Sequence, residues 1–254
     1  MLKKRIIPVQ LLLNGRLVKT RKFGDWRDVG DPVKSSGVYN SQYADELVFL
    51  NISREDRSIA TLRAVVEAVS KVSFMPIAMG GGIGSAADAA ELIRTGADKV
   101  VINSAAYRDT ALITATAETF GAQAVIVSID ARFDLEKGSY QLYSDCGRAP
   151  ENVTLAAHIE RCIAAGAGEI MIQSMDRDGM MEGYDIELIQ QVKALSTIPV
   201  IAAGGSGNYQ HLKQVFEETD VSAVACGSLF NFSDSNPIRA KAFLTNYGIP
   251  FKVV

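Results

Sequence analysis

Pro76-Ile77-Ala78-Met79-Gly80-Gly81-Gly82-Ile83-Gly84 is a short apolar run that breaks into glycines, and the pattern returns as Pro199-Val200-Ile201-Ala202-Ala203-Gly204-Gly205-Ser206-Gly207, 123 residues later. The same offset lays Glu46-Leu47-Val48-Phe49 on Glu169-Ile170-Met171-Ile172. Two segments in register at one offset, about half the chain, predict two equivalent half-barrels, roughly residues 1–122 and 123–254. Further apolar runs complete a series. They are Arg5 to Val9, Glu46 to Asn51, Met75 to Met79, Lys99 to Asn103, Ala124 to Ile129, Glu169 to Gln173, Pro199 to Ala202 and Ser222 to Ala225. Each is nearly continuously apolar, as a parallel strand covered by helices should be. Helical spacing lies between them, with Leu62, Val65, Val66 and Val69 on one face and Leu155, Ile159, Cys162 and Ile163 on another. Asp31-Pro32, Asp109 and Asn236-Pro237 read as helix N-caps. Eight strand–helix units in one chain of this length predict an α/β fold, a single (β/α)8 TIM barrel. A doubly wound open sheet, with roughly five to seven strands, is the structural alternative.

The composition narrows the chemistry. Of 254 residues, 26 are Lys or Arg and 29 are Asp or Glu, a net charge of −3 that gives no electrostatic footprint for nucleic acid. No apolar run approaches the roughly 20 residues of a membrane-spanning helix. The basic N-terminal stretch from Met1 is broken at Pro8 and Gln10 without a small-residue cleavage site, so a cytoplasmic location is expected. Cys146, Cys162 and Cys226 lack metal-ligand spacing, and His158 and His211 are the only histidines. Serine–histidine triads and histidine-rich zinc sites are therefore improbable, and neither metal nor cofactor is expected. Carboxylates, amides and backbone groups remain.

Both glycine loops follow a strand and precede a helix. Glycine lets a backbone approach a ligand closely, and the next helix start offers unpaired N–H groups to an anion. The fourth and eighth strands end in Asn103-Ser104 and Gly227-Ser228, adding donors beside them. One loop alone would read as a tight turn. Two related copies predict phosphate binding by Gly81, Gly82, Asn103 and Ser104 in one half and Gly204, Gly205, Gly227 and Ser228 in the other. The expected ligand is a small anion carrying two phosphates.

The chain also resembles the cyclase subunit of imidazole glycerol phosphate synthase over essentially its whole length. The resemblance rests on Lys4-Arg5-Ile6-Ile7-Pro8, Asn14-Gly15-Arg16-Leu17-Val18-Lys19, Asp45-Glu46-Leu47-Val48-Phe49-Leu50, Gly80-Gly81-Gly82-Ile83, Gly96-Ala97-Asp98-Lys99-Val100, Ser128-Ile129-Asp130-Ala131 and Asp176-Arg177-Asp178-Gly179. It implies a (β/α)8 barrel paired with a glutaminase subunit as a heterodimer, using ammonia delivered through the barrel to close an imidazole ring. It also implies that Arg5, Glu46, Lys99 and Glu169 form a charged ring gating ammonia entry, with Asp98 touching the glutaminase. On position alone, a salt-bridged ring that only closes the barrel floor is an equal reading.

Departures accompany the match. The family's acid/base chemistry uses two aspartates, at the ends of the first and fifth strands. Asp130 fills the fifth-strand position, but Leu11 stands at the first, in Val9-Gln10-Leu11-Leu12-Leu13. Asn51 replaces an aspartate ending the second strand and Gln173 a threonine ending the sixth, while Asp178 keeps a carboxylate on the sixth-strand loop. General acid/base catalysis is worth about 10²–10⁴-fold per group, so Leu11 predicts a severely impaired cyclase. Three readings follow. The first is a divergent paralogue of the kind found in surface-polysaccharide clusters, a conduit passing ammonia to a separate sugar amidotransferase that makes acetamidino sugars. The second is the cyclase of histidine biosynthesis, and the third a phosphosugar isomerase, which Leu11 also disfavours. Elsewhere, His158 and His211 are expected as surface or interfacial side chains and Cys162 as core. Thr20 to Gly30 is expected as a mobile lid, and Phe133 to Pro150 as a hairpin over the mouth.

Overall fold

The structure, a computed structural model, describes residues 3–56 and 58–252, so Met1 and Leu2 of the basic N-terminal stretch lie outside the described residues. The first half runs β1 (Arg5–Leu13), β2 (Arg16–Thr20), β3 (Trp26–Gly30), α1 (Pro32–Ser41), β4 (Leu47–Asn51), α2 (Ile59–Val69), β5 (Ile77–Gly80), α3 (Ala86–Thr95), β6 (Lys99–Ile102), α4 (Ser104–Arg108) and α5 (Ala111–Phe120). A single 3₁₀ turn, Ala122–Ala124, leads into the second half. That half runs β7 (Val125–Asp134), β8 (Ser139–Ser144), β9 (Ala149–Pro150), α6 (Leu155–Ala164), β10 (Glu169–Ser174), α7 (Ile186–Leu195), β11 (Val200–Ala203), α8 (Tyr209–Thr219), β12 (Ala223–Cys226), α9 (Ser228–Asn231) and α10 (Pro237–Thr245).

Parallel pairing follows β1–β4–β5–β6–β7–β10–β11–β12 and returns from β12 to β1, closing an eight-stranded (β/α)8 barrel. Alternation along each strand divides the apolar residues into two cores. Ile7, Val48, Ala78, Val101, Ile126, Met171 and Ile201 fill the barrel interior, while Ile6, Leu12, Phe49 and Met79 face the surrounding helices. The repeat is carried into the backbone. Added Cβ atoms would lie 2.0 Å from the Asn51 carbonyl oxygen at Gly81 (φ +90°) and 2.6 Å from the Ser174 carbonyl oxygen at Gly204 (φ +86°), two clashes related by the 123-residue offset.

The first and fifth barrel strands continue past the rim into antiparallel hairpins, β1–β2–β3 and β7–β8–β9. The first corrects the expectation of a loop lid between Thr20 and Gly30, because Thr20 pairs with Trp26 and Lys19 with Arg27. Asp31 and Asn236 cap their helices ahead of Pro32 and Pro237. Asp109 is the C-cap of α4 and not the N-cap of α5. Thr110 precedes α5, and Asp109 reaches over it to accept from Ala111 N at 2.8 Å. His158 is a further correction: it is fully buried, stacked on Tyr107 with ring centroids 4.0 Å apart. No helix among the described residues is long and apolar enough to cross a membrane.

Candidate active site

A cavity of about 870 Å³ opens at the C-terminal ends of the barrel strands. Gly81, Gly82, Asn103, Ser104, Gly204, Gly205, Gly227 and Ser228 all line it, as do Asp130, Asp178 and Leu11. All the mouth residues singled out from the sequence therefore share one space. Arg5, Glu46, Asp98, Lys99 and Glu169 lie at the opposite ends of their strands.

Register fixes the relation between Leu11 and Asp130. Leu11 pairs with Leu50 of β4, and Asp130 pairs with Gln173 of β10, while Leu50 and Gln173 are themselves related by the repeat. Leu11 and Asp130 are thus equivalent positions of the two halves, and a methyl-tipped side chain stands where symmetry would place a second carboxyl. Val9, Leu13 and Leu50 extend that apolar side of the cavity.

Asp130 is nearly inaccessible to solvent. Burial first, and then the charge of Asp178, push its carboxyl up to about 7, against one hydrogen bond from Asn103 Nδ2 at 3.1 Å that pulls it down. A carboxyl poised there can give or take a proton near neutral pH. The Asn103 amide also donates to the Ser128 carbonyl, bridging β6 to β7. Ser104 Oγ accepts from Asp145 N at 3.1 Å, which ties the second hairpin to the mouth, while Ser228 Oγ is buried and has no partner among the described residues.

Asp178 is not a free carboxylate. Lys19 Nζ donates to its Oδ1 at 2.7 Å, Thr20 Oγ1 to its Oδ2 at 2.8 Å and Gln173 Nε2 to its Oδ1 at 3.3 Å. The ion pair is buried on both sides, and Lys22 N donates to the Asp178 carbonyl, so the first hairpin is fastened across the mouth. Lys19 is the functional candidate the sequence reading passed over. Its stem runs along Gly227, where an added Cβ would come within 2.9 Å of Lys19 Cε, and only the hairpin pairing reveals this. Gln173 thus has a visible task in holding Asp178. Asn51 instead closes its own loop, accepting from Ser53 N at 3.0 Å and donating to the Asp56 carbonyl at 3.2 Å.

At the floor, four charges close a ring. Arg5 donates to Glu46 Oε2 at 2.9 Å and also bonds Glu169, while Lys99 Nζ reaches Glu46 at 2.8 Å and Glu169 at 2.6 Å. Burial dominates at Glu46 and raises its carboxyl above the ordinary range. Burial pushes Glu169 the same way but is outweighed by Arg5 and Lys99, leaving it lowered. Glu46 Oε1 is buried without a hydrogen-bond partner among the described residues. Asp98 is exposed beside this ring, and its Oδ2 accepts from Ile77 N at 2.8 Å. Among the described residues, no group of three or more His, Cys, Asp or Glu side chains could hold a metal ion.

These features define a repeat-built (β/α)8 barrel with a glycine-edged mouth, apolar on one side, around a buried carboxyl. Within that class, the chain belongs to the histidine biosynthesis protein family, whose model matches residues 5–235. It is 43% identical to the imidazole glycerol phosphate synthase subunit HisF of Lactiplantibacillus plantarum, over 98% of this chain and 99% of that one. It is 43% identical to the HisF subunit of Lacticaseibacillus paracasei over 96% and 97% of the two chains, and 39% identical to that of Bacillus subtilis over 98% and 99%.

Proposed function

We propose that this chain is the ammonia-receiving barrel subunit of a glutamine amidotransferase of the imidazole glycerol phosphate synthase type, acting in the cytoplasm with a glutaminase subunit at its floor. The observation that carries the reading is the pair of repeat-related glycine loops opening on one cavity around Asp130. In this reading each half-barrel, 1–122 and 123–254, contributes one phosphate cradle. Gly81, Gly82, Asn103 and Ser104 form one, and Gly204, Gly205, Gly227 and Ser228 the other. Asp130 is the acid/base group, and Asp178 orders Lys19 and the mouth. Arg5, Glu46, Lys99 and Glu169 form the inlet, with Asp98 at the partner's edge.

The relatives' name favours ring closure on a bisphosphate ribulosyl intermediate, the cyclase step of histidine biosynthesis. Leu11 is the specific observation behind a second reading. With no carboxyl opposite Asp130, the barrel passes ammonia to a separate acceptor enzyme, such as a sugar amidotransferase of surface-polysaccharide synthesis. Purified protein supplied with the aminated bisphosphate intermediate and excess ammonium separates the two. Turnover at the rate of a HisF relative supports the cyclase. A rate lower by about 10²–10⁴-fold, with the intermediate still bound, supports the conduit. Failure to bind the intermediate refutes the cyclase and the phosphate cradles, and failure to co-purify with a glutaminase subunit refutes the conduit.

A further inference from the structure

Asp130 receives one side-chain hydrogen bond among the described residues, from Asn103, and Asn103 sits at the start of α4. That helix has five residues and, among the described residues, no side-chain N-cap hydrogen bond, so beyond the Asn103–Ser128 and Asp145–Ser104 bonds at its start it depends on packing partners to hold its position. One turn beyond Asn103, Tyr107 projects from α4 onto the buried His158 of α6, with the rings 6° from coplanar and 4.0 Å apart. Arg161 of α6 secures the stack from behind, donating to the Ala106 carbonyl at 2.9 Å and to His158 Nδ1 at 3.2 Å. With Nδ1 accepting, the ring proton belongs on Nε2, which faces Cys162 Sγ at 3.7 Å. Tyr107 Oη is buried and finds no hydrogen-bond partner among the described residues, so the ring face, not the hydroxyl, makes the specific contact.

We infer that the Tyr107–His158 stack, with Arg161 behind it, is a positioning device for Asp130: it clamps α4 to α6 and so holds the Asn103 amide against the carboxyl. The inference does not depend on which reaction the barrel serves. Its parts stay constant around neutral pH, because burial and Arg161 hold His158 down to about 4 and burial holds the Cys162 thiol up to about 11. The titratable and charged groups around Asp130 are Asp178, Tyr107 and, through Asp178, Lys19. Behind the stack stand Arg161 and Glu151.

The test follows the Asp130 carboxyl by NMR titration of the full chain labelled with ¹³C-carboxyl aspartate, the signal being assigned with Asp130→Asn. A hydrogen bond to a carboxylate favours its charged form, so Asn103→Ala is expected to raise the midpoint by about one unit. Tyr107→Ala should raise it by at least about half that shift, whereas Tyr107→Phe, which keeps the ring, should titrate as the wild type. His158→Phe and His158→Ala form a second pair from the α6 side, with the same expectation should Tyr107→Ala not fold. An unmoved midpoint in the alanine variants overturns the inference, as does an unmoved midpoint in Asn103→Ala. A shift in Tyr107→Phe as large as in Tyr107→Ala overturns it too, since the hydroxyl would then be the active part.

Discussion

Asp130→Asn should stabilise the folded protein at alkaline pH and leave it unchanged in acid. In the folded chain the carboxyl titrates at about 7, against an ordinary value of 3.8. A group whose folded value is raised stabilises the fold fully below its unfolded value, and that contribution is lost as pH rises through the folded one. Here the window runs from about pH 4 to about pH 7. Each unit of difference corresponds to about 1.4 kcal/mol, so ionising Asp130 costs about 4 kcal/mol by pH 8. Asparagine has nearly the same shape, remains neutral throughout and can still accept from Asn103. The variant should therefore match the wild type near pH 4 and gain about 1.4 kcal/mol per pH unit above it, levelling off beyond pH 7. Urea unfolding at a series of pH values, with the denaturant slope shared by both proteins, measures this difference directly. A difference that stays constant across the series would show that Asp130 is already ionised throughout, and would refute the account of a desolvated carboxyl poised at neutrality.

Other substitutions probe neighbouring groups. Gln10 is buried in β1 with both amide atoms unpartnered among the described residues, so Gln10→Leu should raise stability by about 1–3 kcal/mol, and a lower melting temperature would contradict this. Lys19→Met strands the Asp178 charge and should cost about 3–5 kcal/mol, whereas adding Asp178→Asn should recover most of the loss in a double-mutant cycle. Gly81→Ala places a Cβ 2.0 Å from a backbone oxygen at positive φ, while Gly15→Ala, also at positive φ, meets nothing within 4 Å. Thermal unfolding should show Gly81→Ala as much the more damaging of the two, and equal losses would mean the loop yields without cost.

The barrel was legible because its signal is periodic and local. Eight apolar runs fall on the eight barrel strands, and a 123-residue offset relates two glycine loops that meet equivalent backbone oxygens. What escaped the sequence reading depends on pairing between distant segments. Lys19 ends the stretch Asn14 to Lys19, one residue before the expected lid, and nothing in its neighbours marks it out. Its contact with Asp178, 159 positions away, exists only because β2 folds back over β1 and carries the side chain into the mouth. His158 failed for a related reason. A histidine among alanines on an amphipathic helix reads as surface, and the approach of Tyr107 from a separate short helix is what covers its ring face. Asn51 and Gln173 both looked like lost function by residue type, yet one closes a loop and the other holds a carboxylate.

The two ends of the barrel carry different weight as evidence for function. The floor ring is a closed cycle of two cations and two carboxylates, each bonded to both opposite partners and largely shielded from water. Deleting any one member leaves a buried charge uncompensated, a loss of about 3–5 kcal/mol in comparable pairs. Stability alone is thus enough to preserve such a ring, whether or not ammonia passes through it. Position 11 at the mouth is under no equivalent constraint. Leu11 lines an open cavity, and a carboxyl there would border solvent-accessible space instead of packed core. A leucine in that position therefore reflects what the site requires more directly than the intact ring does. The rate of ring closure, rather than the presence of the ring, decides what the barrel does.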